Sequence, residues 1–118
     1  MEFTEESSGT VMIFHLHGKI MGGLETQTLC HRLHDLLAAN QRFLVMDFQN
    51  VQWINSSGIG AIVACLNALR ERGGDIRFAH LQGSPLHYFH ITKLETVTQS
   101  YGTIEEAVQS FAAGLLAA

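Results

Sequence analysis

Two adjacent hydroxyls, Ser56 and Ser57, stand between an asparagine and a glycine in the run Asn55-Ser56-Ser57-Gly58-Ile59-Gly60. Upstream, an apolar run ends in Asp47-Phe48, a short polar stretch follows, and Trp53-Ile54 bring the chain back to apolar character. Downstream, a helical pattern opens. That order places Ser56 and Ser57 at a helix N-terminus, where backbone N–H groups lack partners and the macrodipole is positive. Such a position favours an anion, so a phosphate would suit it, either as a ligand or attached to the serine itself. The competing reading is structural: one serine caps the helix and Gly58 merely permits close packing. Two features favour chemistry. There are two hydroxyls where one cap suffices, and the segment follows a predicted central strand, at the sheet edge where ligands of open α/β sheets gather.

Other chemistries fit the same residues less well. Gly58-Ile59-Gly60 would start a dinucleotide fingerprint, but Val63 stands where the third glycine belongs, and no phosphate-loop Gly-Lys-Ser/Thr follows. A hydrolase nucleophile elbow needs glycine two residues before the serine, and Ile54 and Asn55 occupy those places. The seven histidines include three close pairs: His15 with His17, His31 with His34 (beside Asp35), and His87 with His90. Each pair is able to supply two metal ligands, yet none extends into a longer motif with real specificity, so no metal site is expected. Trp53 has two readings. A lone tryptophan before a helix is most often a core or hydrophobic-staple residue, and tryptophan is also enriched at interface hot spots.

The elements that must position these groups follow from periodicity and punctuation. Glu2 to Ser7 reads as an edge strand, turned at Ser8-Gly9 into a strand over Thr10 to Leu16. Gly18 to Gly23 reads as a loop. A helix pattern starts at Leu24, carries Leu29, Leu33, Leu36 and Leu37 on one stripe, and ends near Asn40. Phe43 to Phe48 is a short buried strand. The helix after the serines carries Ile59, Ile62, Val63, Leu66 and Leu69, stops at Gly73-Gly74, and has Arg70 and Arg72 in its last turn, where cations suit the dipole. Ile76 to Leu81 is the next strand. Ser84-Pro85 reads as N-cap and first residue of a short helix through about Phe89. Thr103, with Glu106 three residues on, reads as a capping box for a last helix with Ile104, Ala107, Val108 and Phe111 on its apolar stripe.

Strand and helix alternate, which is the pattern of an α/β domain with crossover helices between parallel strands. A chain of 118 residues, 47% of them apolar, suits one domain over residues 1–118 with a single core, and residues 114–118 read as a tail. The net charge of −4 and the scattered Lys and Arg argue against a nucleic-acid binder. Cys30 and Cys65 both fall in predicted helices and read as buried thiols rather than a disulfide, as in a reducing compartment. No basic segment leads into an apolar one at the N-terminus, and the longest apolar stretch, Ile59 to Leu66, is too short to cross a bilayer. The expectation is a soluble cytoplasmic protein with no membrane insertion.

The same residues resemble the STAS domain, in particular the bacterial anti-sigma factor antagonists. The resemblance is carried by the strand ending in Asp47, the loop Val51-Gln52-Trp53-Ile54, the run Asn55 to Gly60, and the amphipathic helix ending in Gly73-Gly74. Ile91-Thr92-Lys93-Leu94-Glu95, Tyr101 and Thr103 to Ala107 match the family's closing segment, so the likeness spans roughly Thr4 to Phe111. It implies a small mixed sheet of about four to five strands, the N-terminal one antiparallel to the rest, packed against amphipathic helices. It also implies a function. Such antagonists bind an anti-sigma factor, usually a serine kinase, and free the sigma factor. The kinase phosphorylates a serine at a helix start, and a serine phosphatase reverses the step. The family's phosphorylated residue falls on Ser56, with Ser57 the second choice, and Asn55, Ser56, Ser57, Gly58, Ile59 and Trp53 form the implied partner surface.

The family's motif carries aspartate where this chain has Asn55, which keeps a capping hydrogen bond without a charge. Related STAS domains act without a phosphorylation cycle, as scaffold parts or as subunits beside transport ATPases, and this is the alternative role. A small metal- or nucleotide-dependent enzyme is the alternative of another class. The expectation is a binding protein without catalytic residues or cofactor, and the sequence leaves a homodimer open.

Overall fold

Apolar strands and amphipathic helices succeed one another along the chain in the computed structural model, which describes residues 1–117, with side chains through residue 112. The elements are β1 (Glu2–Ser8), β2 (Val11–Ile20), α1 (Leu24–Ala38), β3 (Phe43–Ile54), α2 (Ser56–Glu71), β4 (Asp75–Ala79), α3 (Gly83–Ile91), a 3₁₀ turn (Leu94–Thr96), β5 (Ser100–Tyr101) and α4 (Ile104–Ala117). The strands form one mixed sheet in the order β1-β2-β3-β4-β5. β1 runs antiparallel to β2, and every other pair is parallel. The α/β architecture, the strand number and the antiparallel first strand are those expected.

Alternate residues of each strand face opposite sides of the sheet, and both sides are covered. Phe14, Leu16, Leu44, Met46, Phe48 and Phe78 join the buried leucines and isoleucines of α1 and α2, together with Phe89 of α3, in the larger core. Phe48, Phe78 and Phe89 meet edge to face, with ring centroids 5.1–6.0 Å apart, which fixes α3 against β3 and β4. On the other side Val11, Ile13, Val45 and Ala79 pack under Ala107 and Phe111 of α4. Arg77 holds that helix by donating to Ser110 Oγ at 2.7 Å and stacking over the Phe111 ring at 4.2 Å.

Several boundaries differ from the sequence reading. Gly18 to Ile20 continue β2 rather than opening a loop, and Gln49 to Gln52 continue β3 rather than forming one. The reason is pairing. Beyond the end of β4, β2 and β3 remain hydrogen-bonded to each other as far as Ile20 opposite Ile54, with two register shifts on the way. The exposed side chains of Gln49, Asn50 and Gln52 disguise a ladder that long-range backbone bonds sustain. α3 starts earlier than expected, with Gln82 at the N-cap and Gly83 first, so Ser84 is not the cap and Pro85 is the third helical residue, where no intrahelical N–H is yet required. β5 has only two residues, too few for a periodic signal. α4 continues through residue 117 where a tail was expected over 114–118, and residue 118 lies outside the described residues.

Candidate functional site

The β2–β3 pair projects past β4 and ends at Ile20 and Ile54, and each strand then turns directly into a helix. β2 leads through Met21-Gly22-Gly23 into α1, and β3 leads through Asn55 into α2. The two helix N-termini therefore sit side by side at the C-terminal edge of the parallel strands. Ser56 and Ser57 are the first two residues of α2, and both are exposed.

Neither serine caps the helix. Asn55 does: its Oδ1 accepts from Gly58 N–H at 2.8 Å, and its backbone is extended, as a capping residue's should be. Its other side-chain group is equally engaged, since Nδ2 donates to the Met21 carbonyl at 3.3 Å. The Asn55 backbone N–H donates to the Ile20 carbonyl at 3.2 Å. Asn55 thus ties the β2–α1 turn to the head of α2. An aspartate would keep the acceptor towards Gly58 but would set a carboxylate oxygen against the Met21 carbonyl oxygen.

Two glycines let the backbones approach. A Cβ on Gly58 would lie 2.3 Å from the Ile20 carbonyl oxygen, and one on Gly22 would lie 2.5 Å from Ser57 Cβ. Gly22 also has φ +77, a conformation glycine adopts at no steric cost. Ile54 and Ile59, one on each side of the cap, are both buried in the larger core and occupy the positions of a hydrophobic staple. Gly58 and Ile59 accordingly support the site from below, whereas Asn55 is half-buried and Ser56 and Ser57 face outwards.

Trp53 is neither a core residue nor the staple. It is 41% exposed and meets Tyr88 of α3 edge to face, with centroids 6.0 Å apart. Met21 and Leu24, at the neighbouring turn, are also large exposed apolar side chains. The hydroxyls therefore lie between exposed apolar groups from the β2–α1 turn and from the end of β3. The first turn of α2 contains no acidic residue, so no carboxylate competes with an added anion for the helix dipole.

The histidine pairs are dispersed. His15 lies on β2 between two carboxylates: Nδ1 is 2.8 Å from Asp47 Oδ2 and Nε2 is 2.9 Å from Glu6 Oε1. Those hydrogen bonds raise the His15 pKa above its ordinary 6.5, against a smaller opposing effect of burial. Asp47 is buried and also accepts from the Gln49 N–H at 3.0 Å, so this carboxylate at the end of the apolar run braces the β2–β3 extension. His90 Nδ1 is 2.7 Å from Glu95, and His31 and His34 line a cleft beside α1. Among the described residues, no three His, Cys, Asp or Glu side chains converge as a metal-binding group. No helix among them is long and apolar enough to cross a membrane.

Sequence reasoning missed two features, the Asn55–Met21 brace and the His15–Asp47–Glu6 chain. The first had a partial signal, since asparagine is as good a cap as serine. The second had none, because Asp47 reaches His15 from a strand 32 positions further on.

With this geometry in hand, comparison with known proteins gives consistent results. The family model for the STAS domain matches residues 3–107. No curated protein sequence matches the chain. Among solved structures, a Thermotoga maritima protein assigned as an anti-sigma factor antagonist is 20% identical with a TM-score of 0.83, and the match covers 92% of each chain. The Bacillus cell fate determinant SpoIIAA in its phosphorylated form is 15% identical with a TM-score of 0.74, covering 93% of this chain and 99% of that one. A sulfate transporter family protein from Wolinella succinogenes is 14% identical with a TM-score of 0.72, covering 94% and 91%. At such identities these likenesses concern the fold.

Proposed function

This chain belongs to the STAS domain family, and from that premise we propose that it is an anti-sigma factor antagonist switched by phosphorylation of Ser56. Its partners on this reading are an anti-sigma factor with serine kinase activity and a serine phosphatase, and it acts by binding rather than by catalysis, in the cytoplasm. The observation that carries the reading is the division of labour at the head of α2. Asn55 supplies the cap, so two exposed hydroxyls are left with no part in it, among exposed Met21, Leu24 and Trp53.

A phosphate on Ser56 would add about −1.5 to −2 charges at neutral pH. It would meet the unpaired N–H groups of the first turn, so the fold itself would tolerate it. The partner would not. A docked apolar surface would have to desolvate that dianion, and each 1.4 kcal/mol of penalty weakens binding about tenfold. The switch therefore acts on the complex, with Ser57 as the secondary acceptor.

Incubation of the protein with its cognate kinase and ATP, followed by intact mass, tests this. One phosphate is expected on the wild type, less on Ser56→Ala, where only the secondary acceptor Ser57 remains, and none when both serines are alanine. Phosphorylation that persists when Ser56 and Ser57 are both alanine would overturn the assignment. A second reading, a STAS subunit of a transport or scaffold complex with no phosphorylation cycle, draws on Asn55 and on the likeness to the Wolinella protein. It predicts no phosphate on any serine and co-purification with a membrane transporter.

A further inference from the structure

Cys30 and Cys65 belong to different helices and stand 35 positions apart, yet their sulfurs lie 2.7 Å from each other across the α1–α2 contact. An S–S bond is about 2.05 Å long, so closing one asks for a displacement well under the width of an atom. The two thiols differ in access. Cys65 is buried, whereas Cys30 is half-buried and lines a cleft of about 280 Å³ with Gly22, Gln27, His31, His34 and Ala61. One sulfur thus meets whatever enters from solvent, and the second waits directly behind it.

We propose that Cys30 and Cys65 form a reversible dithiol–disulfide site, oxidised by a small hydroperoxide that enters the cleft beside α1. Cys30 is the attacking sulfur and Cys65 the resolving one. The Cys30 thiolate attacks one peroxide oxygen, the O–O bond breaks, and the other oxygen leaves, taking a proton to become water or an alcohol. Cys30 is now a sulfenic acid. Cys65 attacks the Cys30 sulfur, the S–O bond breaks, and the hydroxyl departs as water with the Cys65 proton. Two electrons leave the sulfur pair and the peroxide bond accepts both. Two molecules of a low-molecular-weight thiol restore the dithiol by exchange through a mixed disulfide and leave as their own disulfide.

Access sets that order, since either sulfur is able to donate to the other. With Cys65 as the donor, the hydrogen bond favours the Cys30 thiolate and lowers the Cys30 pKa, against an opposing effect of burial. The same hydrogen bond, with burial, raises that of Cys65, which keeps its proton until the second step. The product would clip α1 to α2 on the stripe Ser57–Ala61–Cys65, about two helical turns along from the serines. The inference goes beyond the antagonist reading and holds whether or not Ser56 is phosphorylated.

The test uses the full reduced chain, treated with hydrogen peroxide, then denatured, alkylated and weighed. The expected product has lost about 2 Da and takes up no alkylating reagent, and dithiothreitol restores both thiols. Cys65→Ser should instead accumulate oxygen on Cys30, and Cys30→Ser should react far more slowly than the wild type. Two alkylatable thiols remaining in the oxidised wild type, oxygen added to Cys30 without loss of the second thiol, or a disulfide joining two chains would each overturn the site. The wild-type measurement stands alone should either variant fold poorly.

Discussion

Replacing Asn55, Ser56 and Ser57 one at a time by alanine separates capping from chemistry at the head of α2. Asn55→Ala removes the acceptor for Gly58 N–H and the donor to the Met21 carbonyl. Losing an N-cap costs about 1 kcal/mol, within a range of about 0.5–2. The second bond is neutral and at 3.3 Å rather long, so it adds about 0.5–1 kcal/mol. The sum is about 1.5–2 kcal/mol. At roughly 4 °C per kcal/mol for a chain of this length, Tm should fall by about 6–8 °C. Ser56→Ala and Ser57→Ala remove exposed hydroxyls that take no part in the cap and add a better helix former, so each should change stability by under about 0.5 kcal/mol. Asn55→Asp should fall between: the cap acceptor stays, the dipole gains a charge, and the Met21 bond is lost, for a net change within about 1 kcal/mol of zero. Urea and thermal unfolding followed by circular dichroism measure all four on one scale. If either serine variant loses as much as Asn55→Ala, the hydroxyl is capping the helix and the division of labour behind the proposed switch is wrong.

Other perturbations follow from the same geometry. Gly58→Ala should destabilise by about 1–3 kcal/mol, because its Cβ would meet the Ile20 backbone oxygen at 2.3 Å, whereas exposed Gly60→Ala, with no atom within 4 Å, should stabilise by about 0.5–1 kcal/mol. Denaturation midpoints decide both, and equal effects would refute the close approach. His15 has its pKa raised in the folded state, so its stabilising contribution is complete below the ordinary 6.5 and is lost as pH rises through the higher folded value. Unfolding free energy should therefore decline as pH rises above about 6.5, and His15→Gln should flatten that decline; an unchanged slope in the variant would dismiss the role of His15. Trp53→Ala should cost under about 1 kcal/mol of stability yet weaken partner binding by about 2 kcal/mol, some thirtyfold. A titration of wild type and variant against the anti-sigma factor, with equal affinities, would remove Trp53 from the docking surface.

Much of this protein could be read from local pattern. The leucine stripe from Leu29 to Leu37, the stop at Gly73-Gly74 and the Thr103–Glu106 pair are short-range signals, and the structure shows half of the expected box: Thr103 Oγ1 accepts from Glu106 N–H at 3.1 Å, while the Glu106 carboxylate accepts from the Thr103 hydroxyl. Helices announce themselves because their hydrogen bonds and apolar faces repeat within a few residues. The order of the elements other than β5, and with it the α/β class, follows from the same information, as does the position of Ser56 and Ser57 at a helix start, whereas the mixed sheet was implied by the family resemblance.

Features that depend on partners far along the chain needed the tertiary structure. The continuation of β3 through Gln49 to Gln52 rests on pairing with β2, and polar exposed side chains conceal it. The Asn55 cap to Gly58 is local, but the bond that braces it to the Met21 carbonyl spans 34 positions. Trp53 is left exposed against Tyr88 of α3, while its neighbours Ile54 and Ile59 are buried in the larger core. Cys30 faces Cys65, and His15 faces Asp47, only after helices and strands separated by some thirty residues have packed. Sequence alone determined the helices, the cores of the longer strands and the place of the two serines, because periodicity and capping are local. How Asn55 is braced to Met21, which tryptophan face is free and which thiols meet were decided by packing, because those contacts join segments that no local pattern brings together.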